Sequence, residues 1–388
     1  MALSEIVGVN FVLSAFFFVR ALSKALITYA QNADFPSHTK IKSRGLTEPL
    51  PKKLPTAVDI KKAIPKACFN PTVKESMYYV FQDFFLVTAA YALMKASEVF
   101  LPGWLHWPCV FLYWAVQGTL FTAIFVLGHD CGHQSFSHHG WFNDLAGNII
   151  HSFILVPYTM WKLSHKHHHK FTNNFDKDEV FYPVKESEPC AGGKVLPGFG
   201  FGIGWFGYVL RGYAPRAVCH LNPMDPMFKG HRLACVITLL FNMVSIYLQY
   251  CHFSTFGGFT AWFKYYFIPL FIFASYMVII TFLHHNEMGI TWYNDSEWDF
   301  VKGQLQTVDR HYGLVHKAIH HIGTHQMHHM FSKIPHYRLE MATSAFRKTF
   351  PDLVRICDEP ILPAFMRMFA KYEKQNIIAD TTKEFAYQ

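Results

Sequence analysis

Four long stretches of this chain are almost free of charge, and histidine-rich polar segments separate and follow them. A helix needs about 20 apolar residues to cross a bilayer. Residues 78–100, 105–128, 233–252 and 262–283 meet that length. They fall into two pairs. A tight turn of Leu101, Pro102 and Gly103 joins the first pair, and the uncharged segment 253–261 joins the second. The pattern predicts an all-α integral membrane protein with four transmembrane helices in two hairpins. An even number of crossings puts both ends on one side. The predicted divisions are an N-terminal cytosolic or interfacial segment (1–77), hairpins at 78–128 and 233–283, and histidine-bearing cytosolic regions at 129–232 and 284–388.

Two further apolar stretches are weaker. Residues 6–19 are short for a crossing and end at Arg20; they are expected to form an interfacial or core helix. They lack the positive start and small-residue cleavage site of a secretory signal. Residues 141–161 are interrupted by Asn143, Asp144 and Asn148, and are expected to form one helix lying in the interface.

Charge orients the spans. Lys40, Lys42, Arg44, Lys52, Lys53, Lys61, Lys62, Lys66 and Lys74 precede the first span, whereas the far-side connections hold little beyond Lys95 and Glu98. Positive charge favours the cytosolic side, so the histidine-bearing segments are expected there. The chain has 51% hydrophobic and 16% charged residues. Soluble domains usually carry about 25% charged residues, so a membrane protein with polar lobes fits better. The net charge of +8 suits an anionic leaflet and is not organised into a nucleic-acid footprint. Eight scattered cysteines without a C-x-x-C exclude a disulfide framework or a structural zinc site as the organising feature.

The histidines carry the chemistry. His129 and His133 are four apart; His165, His168 and His169 form an H-x-x-H-H pattern, as do His325, His328 and His329. Residues three and four apart share one helical face, so each cluster aims its imidazoles at one place. His167 and Cys131 sit two positions on and are turned away. Eight imidazoles exceed what one ion takes, so two metal ions with open positions are expected. His285, at the end of the fourth span, makes nine. Zinc favours fewer ligands with a thiolate or carboxylate. Copper fits on ligand softness alone. Carboxylate-bridged di-iron bundles use E-x-x-H pairs, absent beside these clusters. Iron is therefore favoured. One such cluster arises readily by chance, but three on one membrane face do not. The roles of His284, His320 and His321 stay open, and Asp130, Asp176, Asp178 and Asp309 are candidate partners of the imidazole N–H groups.

The order of these clusters resembles that of the membrane fatty-acyl desaturases, nearest to their methyl-end branch (Δ12/ω-6 and ω-3). The resemblance runs over residues 54–337. It includes Gly128-His-Asp-Cys-Gly-His133, Trp161-Lys-Leu-Ser-His165, Glu297-Trp-Asp-Phe-Val-Lys-Gly303, Thr307-Val-Asp-Arg-His-Tyr-Gly313 and Lys333-Ile-Pro-His-Tyr337. It implies an O2-dependent enzyme of the endoplasmic reticulum membrane. Two Fe ions would be held by His129, His133, His165, His168, His169, His285, His325, His328 and His329. Two electrons and O2 would convert a methylene pair of a membrane-lipid acyl chain, on phospholipid or coenzyme A, into a cis double bond and water. Cytochrome b5 and its NADH-dependent reductase would deliver the electrons, since no fused haem-domain motif is present. Homo-oligomerisation stays open.

The chain departs from the family in two places. The segment from His320 to His325 is shorter by one residue, and Thr281 stands where some relatives have Asn. Rival classes fit less well. A divalent-metal transporter would place its ligands at mid-membrane depth. A membrane metalloprotease would carry H-E-x-x-H, which is absent. A hydroxylase, epoxygenase or acetylenase on the same scaffold is the serious alternative, because these differ only in how the substrate carbon is placed.

Overall fold

The computed structural model describes Leu46 and residues 48–388. The stretch 6–19 and its expected helix lie outside them. Thr56 and Asp59 cap α1 (Ala57–Ala63) reciprocally. Thr72 then caps α2 (Val73–Phe100), whose first turn carries Glu75 at the positive end of the helix dipole. Pro102 separates it from α3 (Gly103–Gly132). α4 (Gly140–Phe153) and α5 (Tyr158–Lys170) follow, then α6 (Gly202–Arg211) and α7 (Arg232–Ser254). The helix α8 (Gly258–His285) contains one widened π turn at Phe263–Phe267. The short α9 (Phe300–Gln304) and α10 (His325–Met330) precede α11 (His336–Thr349) and α12 (Ile361–Gln375). Among the described residues, three two-stranded pairings, each of two or three residues, stitch the polar segments together, a small departure from the all-α expectation.

Among the described residues, four helices, α2, α3, α7 and α8, are long and apolar enough to cross a membrane. They extend beyond the predicted spans: α2 begins at Val73 and α7 and α8 leave only residues 255–257 between them. The most apolar windows of α3 and α8 are 72% and 56% buried, against 17% for α2 and α7. The inner pair therefore forms the packed centre, and the outer pair presents apolar side chains such as Phe81, Phe85, Leu240 and Tyr247 outward. Gly118 permits the close approach of α3 and α8. A Cβ there would lie 2.5 Å from Ile272 Cγ2.

The expected single helix over 141–161 is two helices. Pro157 has no N–H to donate, and it disfavours helical geometry in the residue before it. The chain turns through residues 154–157, with Leu155 at φ 54°. This break lets α4 pack on α3 and α7 while α5 turns its histidines toward the end of α3. The exposed side chains of α4 are apolar and one turn apart: Trp141, Leu145 and Ile149.

Candidate metal centre

The three histidine clusters lie on helices, as the spacing predicts. His129 is in the last turn of α3, with His133 capping it. His165, His168 and His169 lie on α5. His325, His328 and His329 occupy the six-residue α10, and His285 ends α8. The fold brings all nine together. His129, His133, His165, His169 and His328 form one group arranged to hold a metal ion, and His168, His285 and His329 form a second. His325 joins the second group, with its Nε2 3.1 Å from His285 Nε2.

The ring nitrogens face one another. His169 Nε2 is 3.1 Å from both His165 Nε2 and His328 Nε2. His285 Nε2 faces His325 Nε2 and, at 3.2 Å, His168 Nε2. One ring nitrogen carries either a single proton or a single lone pair, so one aimed at two others does not satisfy both by hydrogen bonding. Nitrogens about 2.1 Å from a shared ion at right angles lie about 3 Å apart. His329 Nε2 is buried without a hydrogen-bond partner. The donor set therefore fits two cations, one with five nitrogens and one with four.

Burial, and then the neighbouring histidines, hold His133, His165, His169, His325, His328 and His329 well below the usual imidazole pKa. The rings are neutral at pH 7 and their lone pairs are available. Two of the opposite nitrogens have partners, and a third contact fixes the backbone at His169. Asp178 Oδ1 lies 2.7 Å from His168 Nδ1 and also accepts the Glu179 N–H at 2.7 Å. Thr172 Oγ1 lies 3.0 Å from His329 Nδ1. Gln304 Nε2 donates to the His169 carbonyl at 2.9 Å.

The other candidates sort by contact. Asp130 receives the His336 backbone N–H at 2.9 Å and lies 2.8 Å from its Nδ1. Asp309 accepts from the Gln326 N–H at 2.8 Å and pairs with Arg347, so it positions α10 through its backbone. Asp176 pairs with Lys185 and reaches none of the rings. His167 points to Glu179, 2.6 Å away, and Cys131 is buried in the apolar core. His284 is spoken for by the Val308 carbonyl and the Tyr312 hydroxyl. His320 pairs with the buried Asp83 of α2 at 2.6 Å, and His321 with Glu340 at 2.9 Å. Thr172, Gln304 and the Asp83–His320 pair were not singled out from the sequence as parts of the site. Nothing in residue type or spacing marks a threonine as the partner of an imidazole 157 residues away.

An apolar cavity opens onto the histidines. Phe125, Trp161, Phe181, Trp205 and Met277 line its walls, and His129, His165, His168, His285 and His325 line its end. Trp161 stacks on His165 with ring centres 4.5 Å apart. A Cβ on Gly128 would lie 2.0 Å from the His151 ring, so glycine there lets that ring pack beside His129.

An apolar cavity lined in part by these imidazoles matches the chemistry of a protein that oxidises hydrocarbon. The fatty acid desaturase family model matches residues 102–359, and the chain belongs to that family. Its relatives narrow the class. It is 40% identical over 318 residues to an sn-1 acyl-lipid omega-3 desaturase (ferredoxin) of Nostoc sp., covering 80% of this chain and 85% of that protein. It is 33% identical over 351 residues to a Delta(12)-fatty-acid desaturase of Arabidopsis thaliana, covering 86% and 91%. It is 38% identical over 296 residues to an omega-3 fatty acid desaturase, endoplasmic reticulum, of Nicotiana tabacum, covering 74% and 76%. The protein is an oxidoreductase of the methyl-end desaturase branch.

Proposed function

We propose that the enzyme forms a cis double bond at the ω-3 or the Δ12 (ω-6) position of an unsaturated acyl chain, using two Fe ions and O2. The observation that supports this most is the convergence of eight imidazoles into two groups, with His325 beside the second and five of the nine rings lining an apolar cavity. In this reading His129, His133, His165, His169 and His328 hold one iron, and His168, His285, His325 and His329 the other. The iron pair, when bound, supplies the oxidising chemistry that no side chain has. The balance is one methylene pair, O2, two electrons and two protons giving one double bond and two waters. The residues position and exclude. Uncharged ligands leave the positive charge of the centre intact. Asp178 and Thr172 hold their rings in one orientation. The aromatic walls hold one stretch of a flexible chain against the centre and keep bulk water from it.

In the membrane, α2 with α3 and α7 with α8 form two hairpins, and the segments 129–232 and 284–388 form a cytosolic helical cap. The lysine-rich approach to α2 and the nearly uncharged far-side turns favour this orientation. We place the enzyme in the endoplasmic reticulum with cytochrome b5 and its NADH-dependent reductase as donor. The name of the Nicotiana tabacum relative supports the compartment, while that of the Nostoc relative carries ferredoxin. The acyl chain is carried on phospholipid or coenzyme A.

The test is expression in a host that makes no polyunsaturated acids, with oleate or linoleate fed and double bonds located by mass spectrometry. A new cis bond at Δ12 or ω-3 is expected. A hydroxylated or epoxidised chain as the main product would replace this reading. Reconstitution with cytochrome b5 or with ferredoxin assigns the donor.

A further inference from the structure

A third cluster of ligand-type side chains stands apart from the nine histidines. His316, His321 and Glu340 each offer a ligand atom, and these atoms lie within 4.8 Å of one another. They come from the segment before α10 and from α11. We propose that they form a separate divalent transition-metal site, with zinc the best match, that pins the segment 311–324 to α11. This goes beyond the di-iron reading and does not depend on it.

Several observations support the site. Two imidazoles and a carboxylate, with remaining positions open to water, form a donor set zinc accepts. The backbone builds the spacing, because the His321 N–H donates to the His316 carbonyl at 3.0 Å and the Thr324 N–H to the His321 carbonyl at 2.9 Å. His320 and His321 stand at φ 54° and 56°, a left-handed conformation that non-glycine residues keep only where their surroundings over-determine it. That turn sends the two side chains apart, His320 to Asp83 and His321 to Glu340. A third imidazole adjoins the cluster, with the His311 ring centre 4.3 Å from that of His316. The carboxyl of Glu340 is held below its usual pKa by the His321 hydrogen bond first, with Lys317 and His311 adding to the effect. It is ionised at neutral pH, as a ligand must be.

The position gives the site a consequence. Ile322 lines the cavity, and the Tyr312 hydroxyl lies 2.9 Å from His284 Nε2. An ion that fixes 311–324 fixes that part of the cavity wall.

The test uses the full chain in detergent, with its iron loaded, titrated with Zn2+ alone and followed by elemental analysis and thermal unfolding. About one zinc per chain is expected in addition to iron, together with a rise in unfolding temperature. Glu340→Gln changes an exposed carboxylate and leaves the fold intact. It is expected to weaken zinc binding at least about tenfold with iron content unchanged. His316→Asn with His321→Asn should abolish binding. Zinc that binds equally well to Glu340→Gln and to the double variant, or that enters only by displacing iron, would overturn the proposal and leave His321–Glu340 as a plain ion pair.

Discussion

The candidate ligands are imidazoles, two of them oriented through the opposite nitrogen by Asp178 and Thr172, so single-residue changes should separate the roles. His165→Ala, His168→Ala and His328→Ala are expected to abolish desaturation and lower bound iron, measured by elemental analysis. His167→Ala should keep substantial activity, because that ring points at Glu179; equal loss in His167→Ala and His168→Ala would sink the assignment by helical face. Asp178→Asn keeps the size of the side chain but loses the charge beside His168 Nδ1. It should weaken iron binding by about 10–100-fold. Burial also makes a statement about pH. Six histidines of the site, held well below the usual imidazole pKa by burial, are neutral when folded, and their reference value is 6.5. As pH falls below that value the unfolded chain takes up protons first. Stability of the iron-free protein is therefore present above about pH 6.5 and lost below it, by up to about 1.4 kcal/mol per group and pH unit. An unfolding temperature that does not change between pH 7.5 and 5.5 would contradict this.

At the scale of elements, the close crossing of α3 and α8 places His129 and His285, one near the end of each helix, at the same depth. Gly118 makes that crossing possible. Gly118→Val adds volume against Ile272 and the Pro269 carbonyl, and is expected to cost about 1–3 kcal/mol. Iron content should fall with it, because the two helices cannot separate without moving their histidines. Retained iron and unchanged unfolding temperature in this variant would show that the crossing is not what sets the site. The break at Pro157 was not foreseen although the proline is plain in the sequence. The apolar content on both sides is continuous, and the hydrophobic pattern alone favours one uninterrupted helix.

For the whole molecule, the long apolar helices and the histidine-bearing segments are joined by buried polar contacts. Asp83, within α2, meets His320 in the segment before α10, 237 residues away. Removing one partner of such a buried pair is expected to cost roughly 3 kcal/mol, because the other is left uncompensated. Asp83→Ala with His320→Ala should recover part of that loss in a double-mutant cycle followed by thermal unfolding. Strict additivity would mean the two side chains do not act together.

The sequence alone determined that four apolar stretches form long helices, and that the three histidine clusters each share one face. Both follow from local rules, the length of an apolar run and the 3.6-residue turn. Only the tertiary structure decided which rings share a group, five in one and three in the other with His325 beside the second, and that His284, His320 and His321 are engaged elsewhere. Those outcomes depend on helix crossings and on contacts between residues more than a hundred positions apart, such as Thr172 with His329. No periodicity along the chain records them.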